Sequence, residues 1–153
     1  MFKVLATAVV VSLVIGTSTS AQNNDAILRE RLDGSWAVVT GRVLDIKKLG
    51  DLATSVSEHN ADWHYADIAV GSVLKSTALA PVPGTRLRVY FPASRDIAWY
   101  TSPKFQKGQT GIWILRPAGA KVKERDADAK ASLDPLDFQP LSQLKKVKDL
   151  LRR

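Results

Sequence analysis

The sequence predicts a mainly β protein with terminal helices, folded as a small OB-like β-barrel that is closed or partly open. An open α+β sheet is the alternative. The prediction depends on four β-rich segments, two of which carry a glycine in the middle (Gly41 and Gly71), and on helical patterns at both ends. A glycine inside a strand lets the strand coil around a barrel corner, and barrel closure removes exposed sheet edges.

Residues 1–21 have the pattern of a secretory signal peptide. Lys3 supplies a positive charge near the start, residues 4–15 are almost wholly apolar, and residues 16–21 are small. The apolar run is shorter than the roughly 20 residues that a membrane-spanning helix needs. We therefore expect cleavage after Ala21 and a secreted or periplasmic protein, with an uncleaved N-terminal anchor as the alternative.

The mature chain, residues 22–153, is expected to form one OB-like domain. A domain of this length buries roughly two-thirds of the surface that its unfolded chain exposes, so it needs no metal or disulfide to hold a core. The sequence contains no cysteine, which excludes thiol catalysis and cysteine-ligated metal sites. No later segment is apolar enough to span a membrane, and we predict neither a cofactor nor a metal.

The positive charge is unevenly distributed. The formal net charge of the whole chain is +7, yet the last twelve residues hold five Lys and Arg side chains against one aspartate. A nucleic-acid groove would carry its charge on the folded body, beside aromatic rings. The distribution therefore disfavours nucleic acid as a partner.

The N-terminal half predicts one helix and one long strand. Asn24 or Asp25 can cap a helix that runs through Leu32. Residues 36–46 are rich in β-branched side chains and form the first predicted strand. The polar residues 47–62 are expected to be a long, mobile hairpin connection.

Three further strands are predicted, at residues 64–74, 85–91 and 111–115, because their apolar side chains alternate with polar ones or form a short buried run. Residues 81–84 contain two prolines and a glycine and should form a turn between the predicted strands at 64–74 and 85–91. In the middle strand of the three, the alternation places Leu87, Val89 and Phe91 inward and Arg86, Arg88 and Tyr90 outward.

The C-terminal part is predicted to contain less regular structure. Residues 118–130 are charged and are expected to be solvated, and residues 134–140 are rich in turn formers. Residues 142–153 form an amphipathic helix whose apolar face we expect to pack on the domain. That face holds Leu144, Val147 and Leu151.

Three segments of the sequence resemble those of a known family. They are SWAVVTGRV at residues 35–43, residues 65–74 with the ending GSVL followed by Lys75, and PGTRLRV at residues 83–89. Their order resembles that of the strands in the tissue-inhibitor-of-metalloproteinases-like OB barrels. It is similar to exported bacterial proteins of that group without assigned functions. The resemblance covers roughly residues 36–115 and implies the barrel fold.

The activity of those inhibitors does not follow from the resemblance. They chelate the protease zinc through the amine and carbonyl of a mature N-terminal cysteine. Here Gln22 stands at the predicted mature terminus, the chain has no cysteine, and a helix precedes the first strand. We therefore expect no inhibition of zinc proteases by terminal chelation.

The two histidines are the first candidates for a metal site. His59 and His64 are five residues apart, with Asp62 and Asp67 close by, and imidazole with carboxylate can bind zinc. However, His59 falls in a predicted loop and His64 opens a strand, so nothing enforces a ligand geometry. We interpret both as surface residues.

Acid–base catalysis would need two carboxylates in one cleft. Asp62 with Asp67, and Asp134 with Asp137, are pairs by sequence alone, and the second pair is expected to make turn and cap hydrogen bonds. The sequence lacks G-x-S-x-G, a phosphate-binding glycine loop and H-E-x-x-H. No catalytic residue is predicted.

Residues 92–109 form the most informative segment, an 18-residue connection that is long for a compact domain. Its aromatic rings argue against disorder, because rings gain strongly from burial. The segment is either a binding lip or a lid that closes one end of the barrel, and we favour the lid for Trp99, with Lys104 and Lys107 at least partly exposed. The candidate partner-binding residues are Arg95, Trp99, Tyr100, Lys104, Phe105 and Lys107.

Three functional hypotheses follow. The first is an exported, non-enzymatic OB-like domain that binds a protein partner or a surface ligand of the cell envelope. The second is an oligosaccharide- or nucleic-acid-binding OB module that uses the aromatic rings of residues 92–109, and the third is a hydrolase. Exposed coplanar rings would favour the oligosaccharide- or nucleic-acid-binding module. Buried rings with an apolar rim would favour the domain that binds a protein partner, and two close carboxylates in a cleft would favour the hydrolase.

Overall fold

The computed structural model describes residues 18–50, 61–77, 81–119, 122, 126 and 128–152. Most of the predicted signal peptide and of the connection at residues 47–62 lies outside these ranges. Helix α1 begins at Ser18, earlier than the predicted cap at Asn24 or Asp25, and ends at Asp33.

The structure contains the predicted helices and all four predicted strands. After α1 come β1 (Ala37–Lys48), β2 (Trp63–Ser76), β3 (Arg86–Pro92), β4 (Thr110–Pro117), β5 (Lys130–Ala131), β6 (Phe138–Gln139) and helix α2 (Leu144–Leu151). Two short 3-10 turns, Pro135–Asp137 and Leu141–Gln143, lie on either side of β6. Strands β5 and β6 have two residues each, too few for an alternation to reveal them.

Five of these strands close into a barrel. Their order is β1-β2-β3-β5-β4, and β4 returns to β1 through pairs that run from Ala37 with Leu115 to Arg42 with Thr110. The pair β3–β5 is parallel, and the other pairings among the described strands are antiparallel. The predicted OB-like barrel is thus confirmed in its closed form, and the open-sheet alternative is wrong.

The mid-strand glycine of β1 is what allows the chain to pass closely over β2. The β1–β2 register shifts between Thr40 and Gly41. A Cβ on Gly41 would lie 2.6 Å from the carbonyl oxygen of Ala69 and 2.7 Å from Cγ2 of Ile68, which is closer than any real Cβ contact. Gly71 is less constrained, because its Cβ would lie 3.2 Å from Oγ1 of Thr40.

Both sides of the barrel wall at β1 and β4 are buried. The barrel interior is filled by side chains from all four long strands, among them Val43, Ile68, Val89 and Trp113. The outer side of the wall packs under both helices, as the amphipathic pattern of the C-terminal segment predicts. That second cluster contains Leu28, Leu32, Val38, Ile112, Ile114 and Val147. No described helix is long and apolar enough to cross a membrane.

The prediction that residues 118–130 are solvated holds for Gly119 and Asp128, which are exposed, but is wrong for the small apolar residues of the segment that the structure describes. Ala118, Val122 and Ala129 are buried, and together with Ala131 they cover the ring of Tyr90. Tyr90 does point away from the barrel interior, as predicted, but only 2% of it is exposed. These described residues therefore cover the outer face of β3 at Tyr90.

Candidate binding loop

The connection between β3 and β4, residues 93–109, is fixed at its start by β2. Its first two amides donate to the chain that leads into that strand: Ala93 N to the carbonyl of Asp62 at 3.0 Å, and Ser94 N to that of Ala61 at 3.1 Å. Asp62 has a φ of 45°, a left-handed conformation that aspartate tolerates better than most residues. These bonds set the direction in which the loop leaves the barrel.

The other end of the loop is fixed by β1. Gly108 N donates to the carbonyl of Val43, and Val43 N donates to the carbonyl of Gln109, both at 2.9 Å. Gly108 has a φ of +84°, which favours glycine at this tight turn. The loop is therefore held at both ends by backbone hydrogen bonds.

Phe105 anchors the middle of the loop in the barrel interior. Only 6% of this residue is exposed. Its ring lies 4.9 Å from the ring of Phe91, 5.6 Å from that of Phe138 and 5.9 Å from that of Trp113, measured between centroids. Phe105 is thus part of the core and closes this end of the barrel.

Trp99 and Lys104 form a second, shallower anchor. The half-buried ring of Trp99 lies 5.8 Å from that of Trp63, at an angle of 59°. Lys104 Nζ donates to the carbonyl oxygens of Trp99 at 2.8 Å and of Ser102 at 3.0 Å. Burial lowers the pKa of Lys104. This ammonium group therefore cross-links the loop to itself.

The tip of the loop exposes large side chains. Ile97 is 86% exposed and Tyr100 is 72% exposed, and Arg95 and Lys107 are also exposed. The segment around Ile97 is nonetheless ordered by local bonds, with Asp96 Oδ1 accepting from Ala98 N at 2.9 Å. We define the loop tip as Ile97 and Tyr100.

The six predicted binding residues thus fall into two groups. Phe105, Trp99 and Lys104 hold the loop in place, whereas the other three point to solvent. Sequence reasoning missed Ile97, because a single aliphatic residue in a polar loop is ordinarily expected to be an anchor. No periodicity in this segment could have shown that it points outward.

The histidines do not form a metal site that the structure describes. The half-buried His64 packs edge-on against Phe91, with centroids 5.8 Å apart, and its Nε2 lies 3.7 Å from Oδ2 of Asp62. Lys48 Nζ lies 2.8 Å from Oδ1 of the same carboxylate. His59 lies outside the described residues. Within the described ranges, no group of three His, Cys, Asp or Glu residues could hold a metal ion.

Asp137 is buried and fully bonded. Its Oδ1 accepts from Arg31 Nη2 at 2.6 Å, and its Oδ2 accepts from the amides of Leu133 and Asp134, both at 2.9 Å. Asp134 caps the following turn by accepting from Leu136 N. The predicted turn and cap hydrogen bonds are confirmed, and the Arg31 contact joins α1 to the barrel.

A shallow groove of about 380 Å³ lies between α1 and α2. It contains two carboxylates, but each is paired with a lysine of α2: Asp25 with Lys146, and Asp149 with Lys145. Each of the two carboxylates of the groove is thus ion-paired with a lysine of α2.

Comparisons with known proteins do not assign the chain to a family. No protein-family model matches the chain, and a search of curated proteins finds no significant match.

Proposed function

We propose that this protein is an exported, non-enzymatic binding module that recognises a protein partner through the loop tip, Ile97 and Tyr100. The observation that carries the proposal is the contrast between the anchored base of the loop and its exposed apolar tip. Large apolar side chains gain free energy from burial, and an ordered loop that exposes two of them loses little conformational entropy when a partner covers them.

The rings of the loop support a protein partner over an oligosaccharide or a nucleic acid. Single-stranded nucleic acid is bound on exposed aromatic platforms. Here Phe105 is buried, Trp99 is tilted against Trp63, and Tyr100 is the one strongly exposed aromatic residue among those that the structure describes. An apolar tip on a loop that also exposes Arg95 and Lys107 fits a partner that offers an apolar pocket with an acidic rim.

Two parts of the proposal come from the sequence and have tests of their own. Export predicts that the exported protein starts at Gln22 by mass spectrometry, and a membrane-bound species that retains Met1 would contradict it. The lack of an N-terminal cysteine predicts no inhibition of zinc proteases by terminal chelation. Potent inhibition that disappears when residues are added before Gln22 would overturn that prediction.

The loop tip is tested with matched variants of the mature chain. The double variant Ile97→Ser, Tyr100→Ser removes the tip, and Val82→Ser removes an apolar side chain that is 59% exposed elsewhere on the surface. Each protein is immobilised and exposed to the native envelope fraction, and captured proteins are quantified by mass spectrometry. The main captured protein is then purified and its affinity for each variant is measured by calorimetry.

We expect the tip variant to lose at least about tenfold in affinity, since two apolar side chains at an interface contribute more than about 1.4 kcal/mol. Val82→Ser should bind like the parent. Equal affinities for all three proteins, or loss with Val82→Ser alone, would overturn the proposal.

A further inference from the structure

We propose a second binding surface, separate from the loop tip, for an extended acidic peptide segment. It lies on the outer side of the barrel wall, where one row of paired residues crosses four strands. We call it the arginine row; it consists of Thr110, Arg42, Ala69 and Arg86.

The strand register places these four side chains on one side of the sheet. Arg42 of β1 pairs with Thr110 of β4 and with Ala69 of β2, and Ala69 pairs with Arg86 of β3. Residues that pair directly across strands point to the same side. That side is the outer one, because the adjacent Val43 is buried in the barrel interior.

The two arginines have no charge partner within the part of the chain that the structure describes. Both are exposed, and no described carboxylate makes an ion pair with either. The neighbouring Arg88 differs, because its Nε lies 3.4 Å from Oδ1 of Asp67. Asp45, which pairs with Asp67 across β1 and β2, has its own basic partner, because Lys47 Nζ lies 3.8 Å from its Oδ2. Two uncompensated guanidinium groups therefore remain.

The spacing of the row fits alternate side chains of an extended peptide. Neighbouring strands are about 4.8 Å apart, so the Cα atoms of Arg42 and Arg86 are separated by about 10 Å. Ala69 between them leaves the floor low, and each guanidinium can bind a carboxylate with two parallel hydrogen bonds. Alternate residues of an extended chain are about 7 Å apart, within reach of the two flexible side chains.

The surroundings of the row favour a peptide over a nucleic acid or a glycan, which would need rings on which bases or sugars can stack. The ring of Tyr65 is covered by the guanidinium of Arg88, which lies 4.2 Å from its centroid. The ring of Tyr90 is buried against Ala118, Val122, Ala129 and Ala131. The row thus provides hydrogen-bond donors and positive charge without a stacking platform.

The test uses a fluorescent hexaglutamate peptide as the probe, with hexaglutamine, a ten-residue oligothymidylate and heparin as comparison ligands. The row variant is Arg42→Gln, Arg86→Gln. Lys148→Gln, Arg152→Gln is the charge-matched control, because both of its side chains are exposed and belong to α2 or its C-cap, which contributes no residue to the row. A third variant, Arg42→Lys, Arg86→Lys, keeps the charge and removes the two-pronged geometry.

We expect the parent to bind hexaglutamate and not hexaglutamine. The row variant should lose about tenfold or more in affinity, the lysine variant an intermediate amount, and the control less than about twofold. All variants should unfold at the temperature of the parent, since the arginines make no ion pair in the fold.

Three results would overturn the inference. Equal losses of hexaglutamate affinity in the row variant and in the charge-matched control would mean that binding depends on net charge and not on the row. If the parent did not bind hexaglutamate, the arginine row would not be a binding site for acidic peptides. Tighter binding of oligothymidylate or heparin, lost in the row variant, would assign the surface to a different class of ligand. None of these results bears on the loop tip, whose residues are unchanged in every variant.

Discussion

The two long connections that follow β3 and β4 differ in which side chains they bury, and in both the burial is the opposite of what the composition suggests. Residues 93–109 contain three aromatic rings, yet Ile97 and Tyr100 remain exposed at their tip. The described residues of 118–131 belong to a segment rich in charge, yet Ala118 and Val122 are buried. The charged connection is a structural cover, and the aromatic one combines an anchor with an exposed apolar surface.

The difference teaches that burial depends on what a connection crosses. The described residues Ala118, Val122 and Ala129 of the charged connection pack on Tyr90, a ring on the outer face of β3, and such small side chains suffice to cover it. The aromatic connection crosses the open end of the barrel, which one ring, that of Phe105, fills. Beyond that ring, Trp99 packs on Trp63, and Ile97 and Tyr100 remain exposed.

The largest expected effect tests the anchor of the aromatic connection. Phe105→Ala removes a buried ring from the barrel interior and should lower the free energy of unfolding by about 3–5 kcal/mol. Tyr100→Ala, in the same loop, should change it by less than about 0.5 kcal/mol, because that side chain is largely exposed. Urea denaturation measures both. Similar midpoints for the two variants would remove the distinction between anchor and tip.

Trp99 should give an intermediate result. Its ring is half-buried against Trp63, so Trp99→Ala should cost about 2 kcal/mol, less than a fully buried ring and more than an exposed one. Trp63→Ala combined with Trp99→Ala forms a double-mutant cycle that measures the contact between the rings. An unfolding curve of Trp99→Ala that matches the parent would mean that Trp99 belongs to the binding surface and not to the anchor.

Much of the fold could be predicted from local patterns, and the reasons for the failures are physical. The alternation around Ile68 is a property of one strand, which a sequence pattern records. Gly41 is visible in the sequence as a glycine within a run of β-branched residues, although the contacts that require it are made with β2. The burial of Tyr90 depends on residues about 30 positions later in the chain, which alternation within β3 does not record. Strand β5 has two residues, so its pairing with β3 depends on the closed barrel and not on propensity.

The candidate site was predictable only in part. The length of the aromatic connection singled it out, but composition could not separate the anchor Phe105 from the exposed Tyr100. The arginine row depends on three strands being in register, and no pattern within one strand reveals that Arg42 and Arg86 share a row. Such relations between strands are properties of the topology.

The charged connection is tested at Val122, which is fully buried over β3. Val122→Ala removes two methyl groups, each of which contributes about 0.8 kcal/mol when buried, and should lower the free energy of unfolding by about 1.5 kcal/mol. Val82→Ala is the matched control, because that valine is mostly exposed and should give a change below about 0.5 kcal/mol. Equal stabilities of the two variants would mean that Val122 is solvated, as the sequence alone predicts for this segment.

The smallest effect concerns the hydrogen bond by which Tyr90 joins the charged connection. Its hydroxyl donates to Oδ2 of Asp126 at 3.1 Å, so Tyr90→Phe should cost about 1 kcal/mol at neutral pH.

Burial and the hydrogen bond to Asp126 raise the pKa of Tyr90, so above the ordinary tyrosine pKa of about 10 the unfolded chain loses this proton before the folded one. The folded state then binds more protons than the unfolded state, and the stability that Tyr90 provides falls as the pH rises. Urea denaturation of the parent and of Tyr90→Phe at pH 7 to 11 should therefore give stabilities that converge above a pH of about 10. Because the two proteins differ only in this hydroxyl, the difference between their stabilities isolates Tyr90. A constant difference across this range would mean that the hydroxyl is not desolvated, and that Ala118, Val122 and Ala129 cover Tyr90 less closely than their burial implies.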